Sequence, residues 1–354
     1  MFKGAKTTTV VTIMIFSIIL SGCGLVGGKK EKIDPPQDIS YLKEEKLDVT
    51  TEEDESAQEA KKDTKIMTEL FLIDKDGYVV PQMMALPETE SVAKQAMQYL
   101  VENGEVSDLL PSGFRAVLPS DTVVNGVDVK DGKATVDFSP EFKNYQAENE
   151  EKILQAITWT LTQFDGIEKV GIKINGELLT EMPVNGTKID PDGLTRSNGI
   201  NTDASGVTDI TNTRPVVVYY LAQQGKDYYY VPVTKRVSNT ESNDITAVVN
   251  ELIAGPSYQS NLVTEFLPEA KLLEDPVADD GKVILNFNEH IFGSSEEKMI
   301  SDYVLNSLAL SLTELPEIEH IEVKVNGSTE IVNGKGEPIT EPVSRPEKIN
   351  AHSF

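Results

Sequence analysis

A chain of 354 residues with 58 acidic and 32 basic side chains, formal charge −26, is long enough for about two domains of ordinary size. Such an acidic surface repels phosphate backbones, so nucleic acid is excluded as a partner. One cysteine, Cys23, leaves no internal disulfide and no cysteine-rich metal site, and His290, His320 and His352 form no zinc-binding spacing.

The first element is a targeting segment. Lys3 and Lys6 precede "VVTIMIFSIIL", an apolar run too short to span a bilayer comfortably but suited to a signal-peptide core. It ends in "LSGC" (Leu20 to Cys23), which resembles the bacterial lipobox, whose cysteine receives a diacylglycerol before cleavage. Residues 1–22 are therefore expected to be a lipoprotein signal peptide, with Cys23 lipidated and the chain anchored on the outer face of the cytoplasmic membrane. Residues 23–65 are rich in glycine, proline, lysine and glutamate and poor in large apolar groups. They offset little of their ordering entropy and read as a disordered acidic tether. A coil of that length has an average span of roughly 35 Å.

Beyond the tether the chain repeats itself. "DGKATVDFSPEF" from Asp131 returns as "DGKVILNFNEHIF" from Asp280, and four further landmarks recur in the same order at intervals of 148 to 151 residues. They are "LFLID" with "VYYLA", Leu118-Pro119 with Leu267-Pro268, "TLTQF" with "SLTEL", and "VGIKING" with "IEVKVNG". Five landmarks in one order mean two copies of one domain.

Each copy predicts the same elements. Two strands, "TELFLID" and "YVVPQMMAL" or "VVVYYLA" and "DYYYVPVTK", meet through Gly77 or Gly225. A helix follows, over Glu90 to Glu102 or Asn243 to Ala254. Next comes a strand pair closed by an Asp-Gly turn, in which Ala134, Val136 and Phe138, or Val283, Leu285 and Phe287, share the inward face. A second helix carries Ile153, Ile157, Leu161 and Phe164, or Ile300, Val304, Leu308, Leu312 and Leu315, at helical spacing. The last strand turns Val170, Ile172 and Ile174, or Ile321, Val323 and Val325, inward and Lys173 or Lys324 outward. The expected class is α+β: two tandem copies of a small, mostly antiparallel sheet covered on one face by two helices. The first copy spans 66–185, a polar linker 186–213, the second copy 214–335 and a flexible, proline-interrupted tail 336–354. Relative motion of the two domains is the default expectation across such a linker.

The series of Leu-x-x-Gly helix end, Leu-Pro, Asp-Gly-Lys strand, Thr-Leu-Thr-x-Phe helix and Lys-Ile-Asn-Gly resembles the GerMN domain of bacterial envelope lipoproteins. "LIAGPS" (Leu252 to Ser257) is the closer helix end, and "DFSPEF" of the first copy is closer than "NFNEHIF" of the second. The resemblance implies a role in sporulation and spore germination, and a fold similar to the ring-building modules of secretion and flagellar structures, which stack side by side. It brings no catalytic residues.

A search for chemistry finds little. "SVAK" (Ser91 to Lys94) and "SEEK" (Ser295 to Lys298) have the Ser-x-x-Lys spacing of penicillin-interacting enzymes, but no Ser-x-Asn or Lys-Thr-Gly partner follows, and both fall where serine would cap a predicted helix. Asn201, Asp203, Ser205 and Gly206 mimic the start of a calcium loop whose twelfth position is Asn212, without the required glutamate. Asp137, outward on its strand, is Asn286 in the second copy, so a catalytic carboxylate there would have lost its charge. No enzyme activity, cofactor or metal is expected. Lys133, Lys173, Lys282 and Lys324 recur on the uncovered sheet face of an acidic protein and form the candidate contact surface. The expected role is a lipid-anchored interaction module in an envelope complex around the forespore, its partners other sporulation envelope proteins in a ring or channel assembly. The alternative is a peptidoglycan-binding lipoprotein, with "DYYY" (Asp227 to Tyr230) and Trp159 as its aromatic candidates.

Overall fold

In the first repeat, β1 (Lys65–Ile73) and β2 (Val79–Pro87) form an antiparallel hairpin that stands apart from the main sheet. The expected first helix is a short one, α1 (Val92–Gln98). β3 (Val124–Lys130) and β4 (Lys133–Phe138) are joined by Asp131-Gly132 at φ +51° and +75°, the backbone that a two-residue turn of the favoured hand requires. After α2 (Glu150–Leu161) the chain returns as β5 (Lys169–Ile174), parallel to β4, and β6 (Glu177–Leu178) closes an edge. The sheet is thus mixed, in the order β3-β4-β5-β6. The structure, a computed structural model, describes residues 64–205, 210–240 and 243–351. The signal peptide, Cys23, nearly all of the tether and His352 lie outside the described residues.

The second repeat follows the same plan. β7 (Thr213–Gln224) and β8 (Asp227–Ser238) make its hairpin, and α3 (Asp244–Ala254) begins where the Asn243 side chain accepts the Thr246 N–H at 2.7 Å. β9 (Val277–Asp279) and β10 (Lys282–Phe287) meet at Asp280-Gly281, α4 (Asp302–Leu312) crosses over, and β11 (His320–Val325) lies parallel to β10. β12 (Val343–Ser344) closes the order β12-β11-β10-β9.

Periodicity explains why the layers form. Ala134, Val136, Phe138, Val170 and Ile172 are fully buried against Ile153, Ile157 and Leu161 of α2; Val283, Leu285, Phe287 and Ile321 do the same against α4. The run from Ala156 to Leu161 is buried on every side of the helix, as a helix between two layers must be. α2 touches β5 on one side and β1 on the other. The hairpin is held to the helix by side chains along its edge: Thr160 Oγ1 accepts the Phe71 N–H at 3.1 Å, and Ser311 Oγ accepts the Tyr219 N–H at 2.9 Å in the second repeat.

Two expectations are corrected here. The residues taken for a flexible tail run back into the body: Val343 and Ser344 are a strand, and Ile349 and Asn350 are buried. The middle of the linker does likewise, with Leu194 bridging Val170 and Ile200 fully buried. Both stretches are polar and interrupted, but their polar groups bond backbone. Freely moving domains are corrected by bonds between the repeats, from the Thr234 N–H to Ile200 O, from the Met83 N–H to Ile349 O and from the Tyr229 hydroxyl to Asp74.

Candidate functional site

"TRSNGIN" (Thr195 to Asn201) and "SRPEKIN" (Ser344 to Asn350) lie 149 residues apart, within the interval of the other landmarks. They belong to the repeat, and each crosses to the opposite domain. Ile200 O accepts the Thr234 N–H on β8 at 2.9 Å, and Ile349 O accepts the Met83 N–H on β2 at 3.2 Å. Asn201 and Asn350 follow, both left-handed at φ +46° and +52°. Asn201 accepts the Val79 N–H at 2.8 Å and donates to Val79 O and Pro232 O at 2.7 and 2.8 Å. Asn350 accepts the Tyr230 N–H at 2.8 Å and donates to Tyr230 O and Pro81 O at 2.9 and 2.8 Å. "VVP" of β2 and "YVP" of β8 exchange roles across an approximate two-fold. Pro81 and Pro232 have no N–H to offer a ladder, so two asparagine amides join the hairpins instead. Tyr229 adds a buried bond from its hydroxyl to Asp74 Oδ2 at 2.8 Å, and an edge contact with Phe114.

The arginines of the two segments converge on one carboxylate. Arg196 Nη1 donates to both oxygens of Glu314 at 3.1 and 2.8 Å, and Arg345 lies 3.0 Å from Glu314 Oε1. Arg196 also stacks over Trp159, 4.5 Å from the ring centre, and donates to Thr162 Oγ1 at 3.0 Å; Arg345 donates to Thr313 Oγ1 at 3.2 Å. Tyr219 donates its hydroxyl proton to Glu314 at 2.9 Å. Burial alone would raise the Glu314 carboxyl, but the two guanidinium groups and Tyr219 outweigh it and hold it below the usual range. Glu69, buried on β1 nearby, has the opposite fate. Burial pushes it up, Arg345 and Arg196 only partly oppose that, and its Oε1 has no hydrogen-bond partner among the described residues.

The open sheet faces differ. In the first repeat Lys130, Lys133 and Lys169 stand in one cross-strand row, with Lys173 further along β5. In the second, the row reads Asp279, Lys282, His320. Glu322, the counterpart of Gly171, pairs with Lys282 at 2.8 Å and with Lys324 at 3.4 Å. The four lysines expected to form one repeated surface are therefore two neutralised lysines in the second repeat and, in the first, two that have no carboxylate partner among the described residues.

Residues 69–180 and 217–330 match the Germane family model, described as sporulation and spore germination. The chain belongs to the Germane family. It is 51% identical to the spore germination protein GerM of Bacillus subtilis (strain 168) over the full length of both chains. The solved tandem GerMN domains of that sporulation protein superpose with a TM-score of 0.77 at 56% identity, covering 82% of this chain and all of the other.

Within this Germane chain the other sequence candidates have structural duties. Asp137 Oδ1 accepts the Gly176 N–H and Asn286 Oδ1 the Gly327 N–H, each at 2.9 Å; the turn needs an oxygen, not a charge, which is why Asp and Asn interchange. Asn201 is committed to the seam and Asp203 is paired with Lys235 at 2.9 Å, so the resemblance to a calcium loop does not extend to free ligands. Ser91 precedes α1 without a side-chain cap bond. Ser295 and Lys298 are corrected from a helix start to a turn, with Lys298 left-handed at φ +51°; α4 starts later, capped by Ser301. Trp159, Tyr229 and Tyr230 are buried. The seam residues were missed because nothing apolar marks them; the 149-residue echo of Arg, Ile and Asn was the available signal.

Proposed function

We infer that this chain is a lipid-anchored envelope protein that acts in sporulation and spore germination through contact, as an assembly module at the membrane surface around the forespore. One observation carries this reading. Polar groups that recur in both repeats hold the chain together: Asn201 with Asn350, Thr160 with Ser311 and Asp137 with Asn286 bond backbone, and Arg196 with Arg345 share the Glu314 carboxylate. What the duplication has kept is a shape, and a shape of this kind serves docking rather than bond-breaking. The full-length likeness to GerM supports the process, and the lipobox at Cys23 supports the anchor. The peptidoglycan alternative is weakened because three of its aromatic candidates, Trp159, Tyr229 and Tyr230, are inside, and the half-exposed Tyr228 packs edge-on against Tyr303.

Affinity capture with the tagged full chain from sporulating cells tests the reading. It is expected to recover envelope proteins, with Cys23→Ala shifting the chain from the membrane to the soluble fraction. Recovery of none, together with cleavage of wall material by the purified chain, would overturn it.

A further inference from the structure

We propose that the open face of β3, β4 and β5 in the first repeat is the docking surface, and that it takes an acidic, extended segment of a partner protein. The inference rests on the contact reading above and names the face and the partner's chemistry. Lys130 is paired in register with Lys133, and Lys133 with Lys169, so three lysines stand in a row on the open face; Lys130 and Lys169 are exposed, and the half-buried Lys133 spends one donor on Pro191 O. Strands lie about 4.8 Å apart, which sets the row at about 10 Å. Like charges directly opposite one another destabilise a sheet. In a chain with 58 acidic residues, none of Lys130, Lys133, Lys169 and Lys173 has a carboxylate in ion-pair range among the described residues. Among the strand residues of this face the acidic ones are Asp128 and Asp137, and Asp137 is turned to the Gly176 amide; Glu168 borders the row beside Gly132.

Gly171 makes the arrangement possible. A Cβ there would come 2.9 Å from Lys133 Cε, so the bare position lets the Lys133 side chain lie across β5 and donate to Pro191 O at 3.0 Å. The equivalent residue in the second repeat is Glu322, which neutralises that face. The same fold has therefore left its lysines without a carboxylate partner among the described residues in one copy and paired them in the other. Leu178, in register with Lys173 and 49% exposed, adds an apolar contact beside the row.

Charge complementarity selects an acidic occupant, and geometry selects a narrow one. At physiological salt, fields fade over about 8 Å, so an extended segment on this face senses the lysines and little of the acidic remainder. A flat anionic membrane would meet both. Carboxylates at alternate positions of an extended chain recur about every 7 Å, which suits the row.

The test is fluorescence anisotropy of a labelled octaglutamate peptide with the full chain at low salt. The parent is expected to bind, and Gly171→Glu and the double variant Lys130→Gln/Lys169→Gln to weaken binding about tenfold each, whereas Lys282→Gln/Lys324→Gln leaves it within about twofold. Circular dichroism melts establish that each variant is folded. Absence of parent binding, or equal loss from the second-repeat variant, overturns the proposal. So does binding to vesicles of phosphatidylcholine and phosphatidylglycerol with the same lysine dependence. If capture from cells still recovers envelope proteins with the Gly171→Glu chain, this face is wrong while the contact reading stands.

Discussion

Gln163 and Glu314 sit at the same place, just past the second helix of each repeat, and they do different work. Gln163 is neutral and serves its own domain, donating to Glu69 O and Thr160 O and accepting the Glu69 N–H. Glu314 is charged and gathers Arg196 from the linker and Arg345 from the C-terminal segment. The open faces repeat the lesson with Gly171 and Glu322. Duplication preserved the backbone and the seam, while single substitutions moved charge: the second repeat balances its lysines and its Glu314 holds both arginines, and the first leaves its lysine row without carboxylate partners among the described residues.

The comparison breaks most severely at Glu314. Glu314→Gln leaves two partly buried guanidinium groups short of their carboxylate and is expected to cost about 3–5 kcal/mol, read from urea unfolding. Next come the bridging amides. Asn350→Ala removes three hydrogen bonds and strands buried backbone groups of Pro81 and Tyr230, for an expected loss of about 2–3 kcal/mol; Asn201→Ala should match it if the two-fold is real, and a clear inequality would show that one segment dominates.

A smaller effect separates the repeats at the start of the second helix. Glu150 is buried and accepts from Tyr145, Val184, Asn185 and Thr187 at 2.7 to 3.3 Å, where the second repeat has Ser301. Burial raises its carboxyl, but those donors outweigh it and hold it at about 2, against an ordinary 4.5. A depressed carboxylate stabilises the fold above its unfolded pKa and loses that stability as pH falls. Glu150→Gln should therefore cost about 1–2 kcal/mol at pH 7 and flatten the stability decline between pH 4.5 and 2. Glu69 carries the opposite sign. Its raised carboxyl favours the protonated form, so stability falls as pH rises through its folded pKa, and Glu69→Gln should be neutral or stabilising by up to about 1 kcal/mol near pH 7.

The hairpins, the crossover helices and the inward strand faces were legible because each announces itself locally, through Asp-Gly turns or through residues such as Ile153, Ile157 and Leu161 at helical spacing. Ile300 is apolar and in helical register with Val304, so the pattern includes it in the helix; it is buried, but it precedes α4 in a turn-rich stretch. The seam was illegible to periodicity. Arg196, Arg345, Asn201 and Asn350 act by bonding a distant carboxylate or distant backbone, which leaves no apolar rhythm in the chain. The lysines were correctly placed outward by the two-residue period, but their state depended on what stands across from them. That is fixed by the parallel register of β4 with β5 and of β10 with β11, which alternation alone does not supply.

The central claim is that the two repeats form a single body, closed by segments each lends to the other. Trp159, the only tryptophan, lies in α2 under Arg196 and reports the first repeat and its seam; Tyr219, Tyr220, Tyr229 and Tyr230 all lie in the hairpin of the second and contribute to near-ultraviolet circular dichroism. Equilibrium urea unfolding of the full chain should give coincident transitions by Trp159 fluorescence and by tyrosine dichroism, and Glu314→Gln combined with Asn350→Ala should split them. Separate midpoints in the parent chain would contradict it.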